Sequence, residues 1–124
     1  MIEQATKTTH SGEPGPAVLD EAVWLAMNDA SRRSMLDLLR QKPMTTNELC
    51  EHFSFSRFAV MKHLKVLHKA ELVLIERKGR ERINHLNPVP LQAIVRRWLM
   101  PFEQLPADRL LRIKQLAENK GDKS

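Results

Sequence analysis

The stretch that decides the fold runs from residue 45 to residue 86. It reads TTNELCEHF (45–53), SFS (54–56), RFAVMKHLKVLHKAEL (57–72) and VLIERKGRERINHL (73–86). In the third segment Val60, Leu64 and Leu67 recur at helical spacing and mark one apolar face. Phe58, Lys62, Lys65 and Lys69 lie roughly opposite, flanked by Arg57 and Met61. Ser56 is placed to cap this helix, its side chain accepting from a backbone N–H two or three residues on. A shorter helix precedes it, opened by Thr45 or Thr46, with Leu49 and Phe53 inward. Two β-prone runs, VLIER and RERINHL, flank Lys78-Gly79 and predict a hairpin with glycine at the tight position.

Outward from this core the chain is mainly helical. Asp20 is positioned to cap a helix through DEAVWLAMND, and Ser31 the next, RRSMLDLLRQK, which Pro43 stops. Pro88 suits the first position of a later helix, LQAIVRRWLMPFEQL; Pro101 should kink or break it. Pro106 begins a further segment, ADRLLRIKQLAENK. Residues 1–17, rich in Thr, Gly and Pro, read as a flexible arm. The expected organisation is that arm, a body over 18–100 and a helical tail over 101–124. The fold class is mainly α with a small β-hairpin: a winged helix-turn-helix of about five helices and a two-stranded wing.

Charge gives this body a partner. The chain of 124 residues carries a formal +5, and 42% of it is apolar, enough for a packed core. Between residues 57 and 82 stand Arg57, Lys62, Lys65, Lys69, Arg77, Lys78, Arg80 and Arg82, opposed by Glu71, Glu76 and Glu81. Such a cluster attracts polyanions, because neutralised phosphates release condensed counterions. The major groove of B-DNA admits one helix and is read from its N-terminal half. Ser56, Arg57, Phe58 and Met61 are therefore candidate base readers, with Lys62 and Lys65 nearer the backbone. Arg57 can fork onto guanine; Phe58 and Met61 can pack only on apolar groups such as thymine methyls. Phe58 has a second reading as core folded back on the preceding helix. His63 is either a phosphate donor or a satisfied structural histidine. Arg77, Lys78, Arg80 and Arg82 suit phosphate or minor-groove contact, or simply solubilise an edge strand.

Other chemistries fit poorly. There is no Gly-rich phosphate loop, no HExxH and no G-x-S-x-G elbow, so an enzyme is not expected. The one cysteine, Cys50, excludes an internal disulfide framework and fits a reducing compartment. No apolar run approaches the ~18 residues of a membrane span, and the first residues lack a signal-type apolar stretch. A cytoplasmic, nucleoid-associated protein is the expectation. Cys50 and His52 stand at i and i+2 of a helix, about 200° apart, which rarely chelates one ion; no metal and no cofactor are expected. A thiol- or metal-responsive role for Cys50, with His10 as a further ligand, is the alternative on that helix. A winged helix used as a protein-interaction module is the alternative of a different class, and the leucine-rich tail would serve it.

SRFAVMKHLKVLHKAELV followed by ERKGRERINHLNP resembles the signature of ArsR/SmtB-type winged-helix repressors. The upstream NDASRRSMLDLLRQKPMTTNELCEHF is similar to that family's second and third helices, with Asp29, Arg32 and Arg33 at their opening. The likeness covers roughly residues 20 to 100, and the tail with WLMPFEQL looks most like a subgroup without metal ligands, often encoded beside START-like proteins. The resemblance implies a homodimer joined by its first and last helices, bound to a palindromic operator on double-stranded DNA and repressing its own or adjacent genes. It places Ser56, Arg57, Met61, Lys62, His63 and Lys65 of a recognition helix (56–70) on the DNA, and Lys78, Arg80 and Arg82 in the wing (77–82). Trp24, Leu25, Trp98, Phe102, Leu110 and Ile113 would form the dimer interface. Trp24, Trp98, Met100 and Phe102 would line any small-molecule site there. Three positions depart from the family pattern: Met61 replaces a usual serine, Asn84 a common tyrosine, and Glu71 a helix-ending glycine. A remodelled helix end is expected at Glu71, because a non-glycine residue resists positive φ.

Overall fold

The computed structural model describes residues 16–123, with side chains from 20 to 119. Its elements are α1 (Pro16–Met27), α2 (Ala30–Gln41), β1 (Met44–Thr45), α3 (Thr46–Glu51), α4 (Arg57–Lys69), β2 (Val73–Lys78), β3 (Glu81–Leu86), α5 (Val89–Ile94), α6 (Met100–Glu103) and α7 (Asp108–Lys123). Contacts divide the chain into two compact units, with the division between Gln92 and Ala93. The first holds the winged helix-turn-helix. The expected arm lies outside the described residues except for 16 and 17, which open α1.

Two helix starts differ from expectation. Asp20 lies inside α1, because Pro16, with φ already fixed near the helical value, begins it. Asp29 rather than Ser31 caps α2, its carboxylate accepting from the Arg32 backbone N–H at 3.1 Å. The Arg32 guanidinium then closes the end of α1: Nε donates to the Ala26 carbonyl at 2.8 Å and Nη2 to that of Leu25 at 2.9 Å. Arg33 donates to Met27. These bonds occupy carbonyls that a helix C-terminus leaves without partners. At α3, Thr45 is the cap and Glu48 answers it, each side chain accepting from the other residue's backbone N–H, a reciprocal capping box.

The core of the first unit gathers Val23, Met35, Leu36, Leu39, Leu49, Val60, Leu64, Leu67, Leu72 and Val73, all buried. Each helix contributes one stripe, as its spacing requires. The wing carries a third strand that the sequence does not announce. Two-residue β1 pairs with β3 (Met44 opposite Asn84), giving the antiparallel order β1-β3-β2. Asn84 is 1% exposed, and its Nδ2 donates to the Met44 carbonyl and to Thr46 Oγ1, both at 3.2 Å. A buried polar residue on β3 thus ties the wing to the start of α3. Gly79, at φ +61, turns the hairpin, with Lys78 opposite Glu81.

Glu71 reverses an expectation. The end of α4 is not remodelled; Glu71 itself takes the left-handed conformation, φ 60. Its N–H donates to His68 and that of Leu72 to Leu67, the paired bonds of a Schellman ending. Asn87 secures the turn, donating from Nδ2 to the Glu71 carbonyl at 2.8 Å.

In the second unit, Pro101 neither breaks nor sharply interrupts the helix. Residues Val95–Leu99 widen into a π-helical turn, where Met100 N–H reaches the Val95 carbonyl five residues back. The proline ring would clash with the carbonyl four residues before it, and the wider turn makes room. The helix ends soon after α6, and α7 follows Pro106 as expected.

Candidate nucleic-acid interface

The turn between α3 and α4 fixes where α4 begins. Ser56 is its cap, with Oγ accepting from Ala59 N–H at 3.1 Å. Phe53 and Phe55 stack at 5.0 Å between ring centroids, and Phe55 and His63 meet in a T-shaped arrangement at 5.7 Å between centroids. Val60, Leu64 and Leu67 face the core. The remaining face of α4 looks across a groove of ≈ 810 Å³ to the wing. Phe58, Met61, Lys62 and Lys65 line it from the helix; Ile75, Arg77, Arg82 and Asn84 line it from the strands. Among the described residues its lining holds four cations and no carboxylate.

Two of those cations are directly opposed across the hairpin, since Arg77 pairs with Arg82 in the β2–β3 register. Like charges at such a position destabilise a sheet. They fit a fold whose partner supplies the negative charge.

Beside this groove lies a smaller hollow of ≈ 110 Å³, where Arg57 and Met61 meet Arg80, Arg82 and Glu81 of the wing, the cap Thr45, and Thr46 and Asn47 of α3. Arg57 is held there by a hydrogen bond from Nη1 to Asn47 Oδ1. The base-reading residue expected at the first position of α4 is therefore drawn toward the wing arginines. Phe58, with 72% of its surface exposed, stands on the free face instead of folding into the core. Lys62 Nζ lies 5.6 Å from its ring centroid.

Not every expected contact residue joins this surface. His63 is half-buried and turned inward, where Arg32 Nη1 meets its Nδ1 at 3.2 Å. The guanidinium only donates, so Nδ1 accepts and the ring proton belongs on Nε2. That makes His63 a structural link from α4 to Arg32, not part of the cationic row. Lys78 is exposed at the end of β2 and lines neither hollow. Sequence reasoning missed Asn47, the clamping role of Asn84, and the bond from Arg32 to His63, having named Arg32 only in the opening of α2. The Thr45-x-x-Glu48 box was a readable signal that Asn47 sits in the first turn of α3, close to where α4 enters.

Two carboxylates near these elements are held below their ordinary range. For Asp29 the leading cause is the Arg32 backbone N–H; burial opposes it and the Arg32 charge adds to it. For Glu48 the leading causes are the backbone and side-chain hydrogen bonds of Thr45. Cys50 is half-buried and unpaired with another cysteine, and His52 is exposed beyond the end of α3. Among the described residues no three His, Cys, Asp or Glu side chains gather as a metal set, and His10 lies outside them. Among them, too, no helix is long and apolar enough to cross a membrane.

Comparison with known proteins gives a consistent result. The family model described as bacterial regulatory protein, arsR family, matches residues 29–74. The transcriptional repressor SdpR of Bacillus subtilis (strain 168) is 36% identical over 80 residues, covering 64% of this chain and 88% of that protein. The HTH-type transcriptional regulator Rv2034 of Mycobacterium tuberculosis is 36% identical over 74 residues, 60% of this chain and 69% of that one. Among solved structures, an ArsR-like transcriptional regulator from Rhodococcus sp. RHA1 matches with a TM-score of 0.62 at 26% identity, over 84% of this chain and 97% of that chain. A possible transcriptional regulator for arsenical resistance matches at 0.58 and 36% identity, over 70% and 90%.

Proposed function

This chain belongs to the arsR family of bacterial regulatory proteins, and on that footing we propose that it is a homodimeric repressor of a palindromic operator. It is a DNA-binding transcription regulator and not an enzyme. Under the proposal α4 enters the major groove, the wing follows the adjacent backbone, and the two α4 helices of a dimer lie about 34–36 Å apart. Bound across a promoter, such a dimer excludes polymerase sterically. The regulated genes would be its own or neighbouring ones, in the cytoplasm.

The observation that carries this reading is the convergence of Lys62 and Lys65 from α4 with Arg77 and Arg82 from the hairpin on one groove without carboxylates. A solvated basic face would not need two elements to aim cations at one trough. Exposed Trp24 and Leu25 on α1, and Trp98, Phe102, Leu110 and Ile113 in the second unit, supply apolar surface for the partner copy.

The test is selection of bound duplexes from a random pool by the full chain, then fluorescence anisotropy across a salt series. The expected outcome is a two-fold symmetric consensus bound at about 10⁻⁸ M or tighter. Lys62→Ala with Lys65→Ala should flatten the slope of log affinity against log salt by about two per protomer. Weak binding with no sequence preference would overturn the operator reading. It would turn attention to the exposed leucines of α7 as a protein-binding surface.

A further inference from the structure

The geometry points to apolar direct readout: Phe58, supported by Met61, reads thymine C5-methyl groups in the operator, while Arg57 serves as a phosphate contact together with the wing arginines. This rests on α4 being the recognition helix and adds which chemical group on the DNA it selects.

Three observations carry it. Phe58 is the second residue of α4, in the part of a recognition helix that meets base edges, and it is 72% exposed. An exposed phenyl ring is unfavourable in water, and its neighbours on this face do not cover it. Arg57, the side chain that would otherwise give a guanine-directed fork, is tied to Asn47 in the hollow shared with Arg80 and Arg82. The hollow also holds Glu81, yet three guanidinium groups against that one carboxylate leave it net positive, and arginine pairs bidentately with phosphate oxygens. Met61, half-buried beside Phe58, extends the apolar surface into the groove.

On the DNA side, the C5-methyl of thymine is the apolar group that a base pair presents in the major groove; cytosine carries hydrogen at that carbon. A phenyl ring laid on the methyl buries both. It selects A·T at that step without any hydrogen bond from the side chain. Lys62, close to the ring of Phe58, is one turn along α4 and can reach the phosphate while the ring stays on the base.

The experiment uses the consensus duplex selected by the full chain. Each thymine is replaced singly by deoxyuridine, which keeps all Watson–Crick pairing and removes only the methyl. Anisotropy is then read for wild type, Phe58→Ala, Phe58→Leu and Arg57→Ala. At one thymine per half-site, deoxyuridine should weaken wild-type binding about fourfold, and about 15-fold when both half-sites are changed. Phe58→Ala should bind the thymine and deoxyuridine duplexes within about twofold of each other, and Phe58→Leu should retain discrimination. Arg57→Ala should weaken all duplexes alike and lower the salt slope by about one per protomer. Melting curves for the Phe58 variants should overlay wild type, because the ring packs on little of the fold. Equal wild-type affinity for thymine and deoxyuridine at every position would overturn the assignment. So would a methyl penalty that survives in Phe58→Ala. A pool that returns no preferred sequence would instead remove the operator reading beneath it.

Discussion

Single residues in this chain hold positions that physics disfavours, and each can be tested alone. Glu71 at φ 60 adopts a conformation in which Cβ crowds the carbonyl, at a cost of about 1–2 kcal/mol for an L-residue. The Schellman bonds and the Asn87 clamp use only its backbone, so they survive substitution. Glu71→Gly relieves the strain and gives back part of it as unfolded-chain entropy, leaving a net stabilisation of about 0.5–1 kcal/mol. Urea unfolding should show a higher midpoint with an unchanged slope; a lower midpoint would mean that the Glu71 side chain contributes something the backbone does not. Arg77 opposite Arg82 is a second such position. Arg77→Thr should raise stability by about 0.2–1 kcal/mol, by removing like-charge repulsion on the hairpin. The same change should weaken DNA binding and flatten its salt dependence. A gain in stability together with a loss of affinity would identify the pair as tension kept for the phosphate backbone.

At the scale of elements, helix starts are the points where sequence becomes geometry. Ser56 sets the first turn of α4, Thr45 with Glu48 that of α3, and Asp29 that of α2. Each side chain satisfies N–H groups that the helix leaves open. Asp29 and Glu48 are held below the ordinary carboxylate range in the folded chain. Their contribution is therefore fully present above the unfolded carboxylate values, and it is lost as pH falls through the lower folded values. Thermal melts should show stability falling on acidification from about pH 5 downward. Asp29→Asn retains a capping acceptor without the charge and should flatten part of that fall; an unchanged acid slope would remove Asp29 from the account. Much at this scale was legible beforehand. The 3.6-residue stripes place α2 and α4, Ser56 marks the start of α4, and Gly79 marks the turn. The expected Leu49–Phe53 stripe fails, because α3 ends at Glu51 and Phe53 falls in the turn, stacked on Phe55. What was not legible depends on approach between distant segments. A two-residue strand such as β1 has no period to read. The Arg57–Asn47 and His63–Arg32 bonds join residues 10 and 31 positions apart, so propensity says nothing of them. The cationic row was readable from spacing alone; which of its neighbours turn inward was decided by packing.

At the scale of the whole molecule, the apolar surface left uncovered exceeds what a lone chain would be expected to show. Every described side chain of α7 is exposed, including Leu110, Leu111, Ile113 and Leu116, and α1 shows Trp24 and Leu25. A helix of 16 residues whose described side chains pack on nothing is marginal in water, because propensity alone barely exceeds the cost of nucleation. Under the proposed homodimer, a second copy that buries these residues would account for both the exposure and the helix. The resulting two-fold axis would also set the spacing of two α4 helices on DNA. Leu110→Glu with Ile113→Glu places charge in that contact without touching the groove between α4 and the wing. Sedimentation should then report a monomer, against the dimer expected for wild type. Far-ultraviolet circular dichroism should lose about one helix of that length, because α7 no longer has a partner. Affinity for the full palindrome should fall at least about 100-fold, since the second half-site is no longer engaged intramolecularly, while a single half-site should be bound as weakly as by wild type. A variant that remains dimeric with undiminished affinity would place the interface elsewhere and leave the leucines of α7 facing some other protein.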